Sequence, residues 1–111
     1  MTQKEMAEKV RADRAVRKMY ERQKALEKYG QAGFAPAGRP DFDVLDYLIN
    51  EVVGLERYAQ MIYHRFPDNG RIVELSNQIG EFSLRMSSNL IYERLLLQES
   101  GEVLGTVERG G

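Results

Sequence analysis

Four residues, Pro67 to Gly70 (PDNG), separate two long stretches of helical sequence, and this break constrains the fold more than any other feature. Pro67 is suited to end a helix, and Asn69-Gly70 accept the positive φ of a tight turn. Because a turn of about four residues returns the second helix along the first, the sequence predicts a long antiparallel helical hairpin. Its helices are expected over about residues 42–66 and 71–99.

The first hairpin helix carries an apolar line whose steps alternate between three and four residues, the spacing of a helix that packs lengthwise on another. Asp41 or Asp43 is expected to cap its start. Each helix would be about 37 Å long, and two such helices cannot shield each other's apolar faces. The sequence therefore predicts an all-α, three-helix or oligomeric bundle. The apolar line consists of Leu45, Leu48, Val52, Leu55, Ala59, Ile62 and Phe66.

The second hairpin helix places a strip of small side chains inside its apolar arc. At about 100° per residue, the strip lies between an apolar flank around Ile79 and Phe82 and another around Leu84 and Ile91. Small side chains let a neighbouring backbone come close. We interpret the strip as the interface with a second copy in a homo-oligomer; contact with the N-terminal helix and simple solvent exposure are the alternatives. The strip consists of Ser76, Gly80, Ser83 and Ser87.

A basic segment precedes the hairpin. Residues 1–30 contain nine Lys/Arg and five Asp/Glu, whereas residues 31–111 contain seven and twelve, so the net charge of −1 divides into a basic and an acidic part. Residues 3–29 are rich in good helix formers and predict a basic amphipathic helix. The Gly/Pro/Ala-rich residues 30–41 predict a linker. Residues 42–100 are expected to form the hairpin core, and Gly101 is expected to stop its second helix. Residues 101–111 are expected to form a flexible tail.

One face of the predicted N-terminal helix is basic, and we interpret it as a binding surface for an acidic protein. The phosphate backbone of a nucleic acid is the alternative partner. The face could also be merely solvated and steadied by Asp13–Arg17 and Lys18–Glu21 pairs. The apolar stripe of the helix is too thin for membrane binding, and it leaves open whether the helix packs on its own hairpin or swaps onto a second copy. The basic face consists of Arg11, Arg14, Arg17, Lys18, Arg22 and Lys24.

Glu56 is the most unusual charged residue, because its position lies within the apolar arc of the first hairpin helix. A carboxylate there needs a partner, and an ion pair with the N-terminal helix or a tyrosine hydroxyl is the simpler explanation. The alternative is a small-ligand, metal or enzyme site at a subunit interface, built from Glu56, Glu51 and Tyr63. No cofactor is expected. With no Cys and with His64 as the single His, one chain cannot form a thiolate or multi-histidine metal site.

The sequence contains no apolar run of about 20 residues and no secretory leader, so a cytoplasmic location is expected. The serines Ser83, Ser87 and Ser88 have no histidine near them in sequence, so no catalytic triad is visible. These features favour a small non-enzymatic interaction or regulatory protein over an enzyme. We expect it to self-associate through the hairpin and to bind an acidic macromolecule through the basic helix. An interface ligand site and an architectural nucleic-acid-binding role are the alternatives.

Overall fold

A computed structural model of the chain describes residues 1–29, 43–102 and 104–105. Helix α1 covers Gln3–Tyr29, α2 covers Val44–Arg65 and α3 covers Gly70–Glu99. No strand occurs in these ranges, and α2 and α3 pack on each other. The predicted all-α fold and its antiparallel hairpin are confirmed. The predicted linker lies outside the described residues, as does most of the predicted tail.

The chain divides into two units, residues 1–39 and residues 40–111. In the first unit, α1 begins with a side-chain cap from Thr2, whose hydroxyl is also hydrogen-bonded to the side chain of Glu5. The backbone amide of Glu5 donates to Thr2 Oγ1 at 3.1 Å, and Thr2 Oγ1 donates to Glu5 Oε1 at 3.1 Å. This cap and a composition of good helix formers account for the helix. Within its own unit, α1 has no second helix among the described residues on which to bury its apolar stripe.

In the second unit, both hairpin helices begin with a side-chain cap. Asp43 caps α2, its side chain accepting from the backbone amide of Asp46 at 2.9 Å. Asn69 caps α3 in the same way, accepting from the amide of Ile72 at 3.2 Å. The expected positive φ at Asn69-Gly70 is wrong: Asn69 has φ −95° and Gly70 is already the first residue of α3. Asn69 is used as a cap because an exposed helix start leaves amides that need acceptors.

The end of α3 confirms the stop predicted at Gly101, which has φ +83°. The amide of Gly101 donates to the carbonyl of Gln98 at 3.1 Å, and the amide of Glu102 donates to that of Leu97 at 3.0 Å. This pair of bonds is the Schellman motif, in which a glycine adopts the left-handed conformation. The motif satisfies carbonyl groups that the last helical turn would otherwise leave unpaired.

The hairpin core is small. Among the described residues, the buried apolar side chains are Ile49, Val52 and Ala59, all on α2, and they face buried serines of α3. The predicted apolar line is therefore buried only in part, because its members Leu48 and Phe66 are nearly half exposed. None of the described helices combines the length and apolar content that crossing a membrane requires.

Candidate interaction surfaces

Two serines of α3 join the hairpin helices directly. Ser76 Oγ donates to the carbonyl oxygen of Ala59 at 2.8 Å, and Ser83 Oγ donates to that of Val52 at 2.7 Å. Donors and acceptors are both seven residues apart, which fixes the antiparallel register of the two helices. Ser83 has no exposed surface. The predicted close approach of a backbone to the strip is confirmed at these two serines.

The neighbour that comes close to the strip is α2 of the same chain, so the small side chains do not require a second copy. Ser87 is also buried, but its hydroxyl donates within α3, to the carbonyl of Leu84 at 3.3 Å. Gly80 is half-buried, and a Cβ placed on it would have no atom within 4 Å. The strip is thus accounted for by α2 packing at Ser76 and Ser83, and an oligomer interface through it stays a prediction.

A buried ion pair closes the open end of the hairpin. Arg94 Nη2 and Nε lie 2.7 Å and 3.1 Å from Asp43 Oδ2, while Asp43 Oδ1 caps α2. The side chain of Asp43 is 1% exposed and that of Arg94 is 19% exposed. This pair was not predicted from the sequence. The sequence did contain an indication of it: Arg94 follows Ser87 by seven residues, about two helical turns, and so lies on the same side of α3 as the strip.

The environment of Asp43 favours its charged form. Burial alone would raise the pKa of Asp43. The hydrogen bonds from Arg94 and from backbone amides, together with the positive charge of Arg94, outweigh burial and lower the pKa below its ordinary 3.8. In turn, the hydrogen bond to Asp43 raises the pKa of Arg94. Asp46, which accepts from Asn50 Nδ2 at 3.3 Å, is buried beside them.

One flank of the hairpin is an open apolar surface, which we call the apolar face. Leu75 is 50% exposed and Phe82 39% exposed, and both line a groove between α2 and α3 with Leu55, Tyr58 and Ile79. The polar groups of this groove are Gln78, Glu81 and Arg85. By helical position, the face comprises Leu48, Leu55, Tyr58 and Ile62 of α2 and Leu75, Ile79, Phe82 and Met86 of α3.

The other flank holds a more polar groove, which contains two of the three residues of the predicted ligand site. Glu56 and Tyr63 both line it, whereas Glu51 is not among its lining residues. Five residues along a helix correspond to about 140° around its axis, so Glu51 lies on the side of α2 away from Glu56. The remaining lining residues are Ala59, Gln60, His64, Ser76, Asn77, Gly80, Glu81 and Leu84.

The partner expected for Glu56 is not found among the described residues: neither an ion pair nor a hydrogen bond joins its carboxylate to them. Glu56 is half-exposed, so water can solvate it. No cluster of three or more acidic or imidazole side chains that could hold a metal ion occurs within the described ranges. The polar groove thus offers hydrogen-bonding groups around an open depression.

The basic face of α1 separates into paired and unpaired cations. Arg17 is paired with Asp13 at 3.1 Å, as predicted. The predicted Lys18–Glu21 pair is wrong, because Glu21 pairs with Lys24 at 3.4 Å, an arrangement with the acid N-terminal to the base that suits the helix dipole. The cations without an ion pair to any described residue are Arg11, Arg14, Lys18 and Arg22. Spaced by three and four residues, these four form a basic ridge along one side of the helix.

No protein-family model matches the chain, and comparisons with curated proteins and with solved structures return no match. The described residues present two exposed surfaces, the apolar face of the hairpin and the basic ridge of α1.

Proposed function

We propose that this chain is a non-enzymatic interaction protein whose hairpin binds other helices through the apolar face. One observation carries the proposal: among the described residues, three apolar side chains are buried, while Leu75, Phe82 and Tyr58 lie exposed together. Large contiguous exposed apolar surfaces mark sites of interaction with proteins, membranes or ligands. The spacing of these side chains suits another helix, because knobs and holes repeat at three and four residues on both hairpin helices.

The basic ridge of α1 supplies the second half of the proposal, the binding of an acidic macromolecule. Arg11, Arg14, Lys18 and Arg22 have no ion pair with described residues, so their charges are available to a partner. Exposed charges contribute more to the rate and selectivity of association than to affinity. We therefore assign selection of an acidic protein surface to α1 and affinity to the hairpin. A cytoplasmic location remains part of this proposal.

Photo-crosslinking in cells tests the apolar face. A photoreactive amino acid in place of Tyr58, on the apolar face, should give protein adducts. The matched control replaces Leu84, which is 64% exposed but lies on the other flank of the hairpin. Adducts from the Tyr58 position and none from the Leu84 position are expected. Equal yields from both positions would refute a binding role for the apolar face.

The role of the ridge is tested by charge reversal. The variant Arg11→Glu/Lys18→Glu should abolish capture of the acidic partner, whereas Arg17→Glu/Lys24→Glu, which changes two cations already paired in the helix, should reduce it less. Binding to double-stranded DNA at low salt examines the alternative. Counterion release makes any phosphate binding strongest there, so absence of binding under those conditions removes the nucleic-acid role.

A second candidate function, small-ligand binding in the polar groove, is favoured by the meeting of Glu56, Gln60 and Tyr63 there. Thermal unfolding against a panel of divalent metals and nucleotides tests it, because a ligand that binds the native state must raise Tm. A shift that disappears in Glu56→Gln would support this candidate. An unchanged Tm across the panel leaves the groove as a solvated surface.

A further inference from the structure

We infer that the occupant of the apolar face is a second copy of this chain, packed face to face to form a four-helix bundle. The inference rests on the proposed function and deepens it by naming the partner. It also moves the oligomer interface away from the serine strip, because Ser76 and Ser83 are buried against α2. The exposed flank beside the strip is the surface that remains to be covered.

The apolar face is large enough for a stable dimer. Helix α2 has 22 residues and is about 33 Å long. Two helices side by side are about 20 Å wide, so a face-to-face pair would bury about 1,300 Å² in total, which is within the range of specific interfaces. The face of a second copy has this same length and width by symmetry, and an isologous pair covers both faces at once.

The charges at the rims of the apolar face favour the same occupant. The hydrogen bond from Ser83 to Val52 places Arg85 of α3 and Glu51 of α2 within about one residue of the same level. Both side chains are exposed, and neither forms an ion pair with a described residue. A two-fold axis parallel to the helices sets α2 of one copy opposite α3 of the other at equal height. Each Glu51 then faces an Arg85 of the second copy, once on each rim.

Sedimentation equilibrium of the full chain tests this inference over micromolar concentrations. The wild type should sediment with the mass of a dimer, twice the 12.8 kDa of one chain, and should dissociate on dilution. Phe82→Glu places a carboxylate in the centre of the proposed interface and should weaken the dimer by at least about 30-fold, the effect of one hot-spot residue. The matched control is Leu84→Glu, only two residues away on the other flank and 64% exposed, which should leave the dimer constant unchanged.

A second variant, Leu75→Glu, guards against a Phe82 variant that fails to fold, since Leu75 is half-exposed and its replacement costs the hairpin little. Helicity measured by circular dichroism identifies a folding failure. A wild type that remains monomeric at every concentration overturns the inference, as does equal weakening by Phe82→Glu and Leu84→Glu. If the wild type is monomeric while the Tyr58 position still gives crosslinks to other proteins, the second copy is refuted and the interaction function stands.

Discussion

Arg94 holds the start of α2 against the last turns of α3 by donating two hydrogen bonds to one carboxylate oxygen of Asp43. The second oxygen of the same carboxylate caps α2. One side chain thus satisfies an otherwise unpaired amide at a helix start and joins two helices through residues that lie 51 apart in sequence. With the turn at the opposite end and the serine hydrogen bonds between, the hairpin is fixed along its whole length.

Removal of the guanidinium should destabilise the hairpin strongly. We expect Arg94→Ala to lower the free energy of unfolding by about 3 kcal/mol, because it leaves the Asp43 carboxylate buried without its partner. Urea unfolding followed by circular dichroism measures the loss. Arg71→Ala, which changes an exposed arginine on the same helix away from the proposed interface, is the control and should change stability by less than about 0.5 kcal/mol. Equal losses from the two variants would mean that the ion pair contributes nothing to the fold.

The stability of the hairpin should fall in acid partly through Asp43. Its pKa is lowered in the folded state, so its contribution is complete above the ordinary value of 3.8 and is lost as the pH falls through the lower folded value. Asp43→Asn keeps a capping side chain and removes this titration. We expect Tm of the wild type to fall more steeply below about pH 4 than that of the variant. Parallel curves would exclude Asp43 as a contributor to acid unfolding.

The stability of the hairpin should depend more on the size of the side chain at Ser83 than on its hydroxyl group. Ser83→Ala removes one hydrogen bond and should cost about 1 kcal/mol. Ser83→Val adds volume at a site with no exposed surface and should cost about 2 to 3 kcal/mol, because the helices must separate. Denaturant unfolding distinguishes the two. Ser88→Ala is the control, since Ser88 is exposed and bonds within α3; if Ser83→Val were as stable as this control, close packing at Ser83 would be contradicted.

The sequence allowed the hairpin to be predicted because its signals are local. Pro67 and Asn69 mark the turn, Asp43 and Gly101 mark helix ends, and the periodicity in between marks the helices. The helix against which the strip of small side chains packs could not be predicted in this way. Ser83 must approach some backbone, but periodicity describes one helix at a time and does not say whether α2 or another chain supplies that backbone.

The same limitation explains why the Asp43–Arg94 pair was missed and why the predicted ligand site was only partly assembled. Arg94 has its partner 51 residues away in sequence, and the two side chains meet only after α2 and α3 are in register. Glu51 and Glu56 are close in sequence yet lie on opposite flanks of α2, because one residue advances about 100° around a helix. Glu51 and Glu56 can be assigned to different flanks of the hairpin only when it is known which side of α2 contacts α3.

Gly80 should be replaceable, although it lies in the strip. A Cβ there meets no atom within 4 Å, and alanine is the better helix former. We expect Gly80→Ala to raise the free energy of unfolding by about 0.5 to 1 kcal/mol, measured by urea unfolding. If the strip were instead the oligomer interface, the added methyl group would weaken self-association. Sedimentation of the variant therefore decides between the strip and the apolar face as the contact between copies.

The proposed orientation of the two copies makes a prediction about charge exchange. Glu51→Arg places two cations opposite each other on each rim, and Arg85→Glu places two anions there, so each variant should weaken the dimer by about tenfold at low salt. The double variant restores opposite charges and should recover most of the wild-type dimer constant. Recovery requires that residue 51 of one copy face residue 85 of the other. If the double variant is as weak as the product of the two single effects, the helices are related by a different two-fold axis. High salt should reduce both single effects, since exposed charges are screened within about 10 Å.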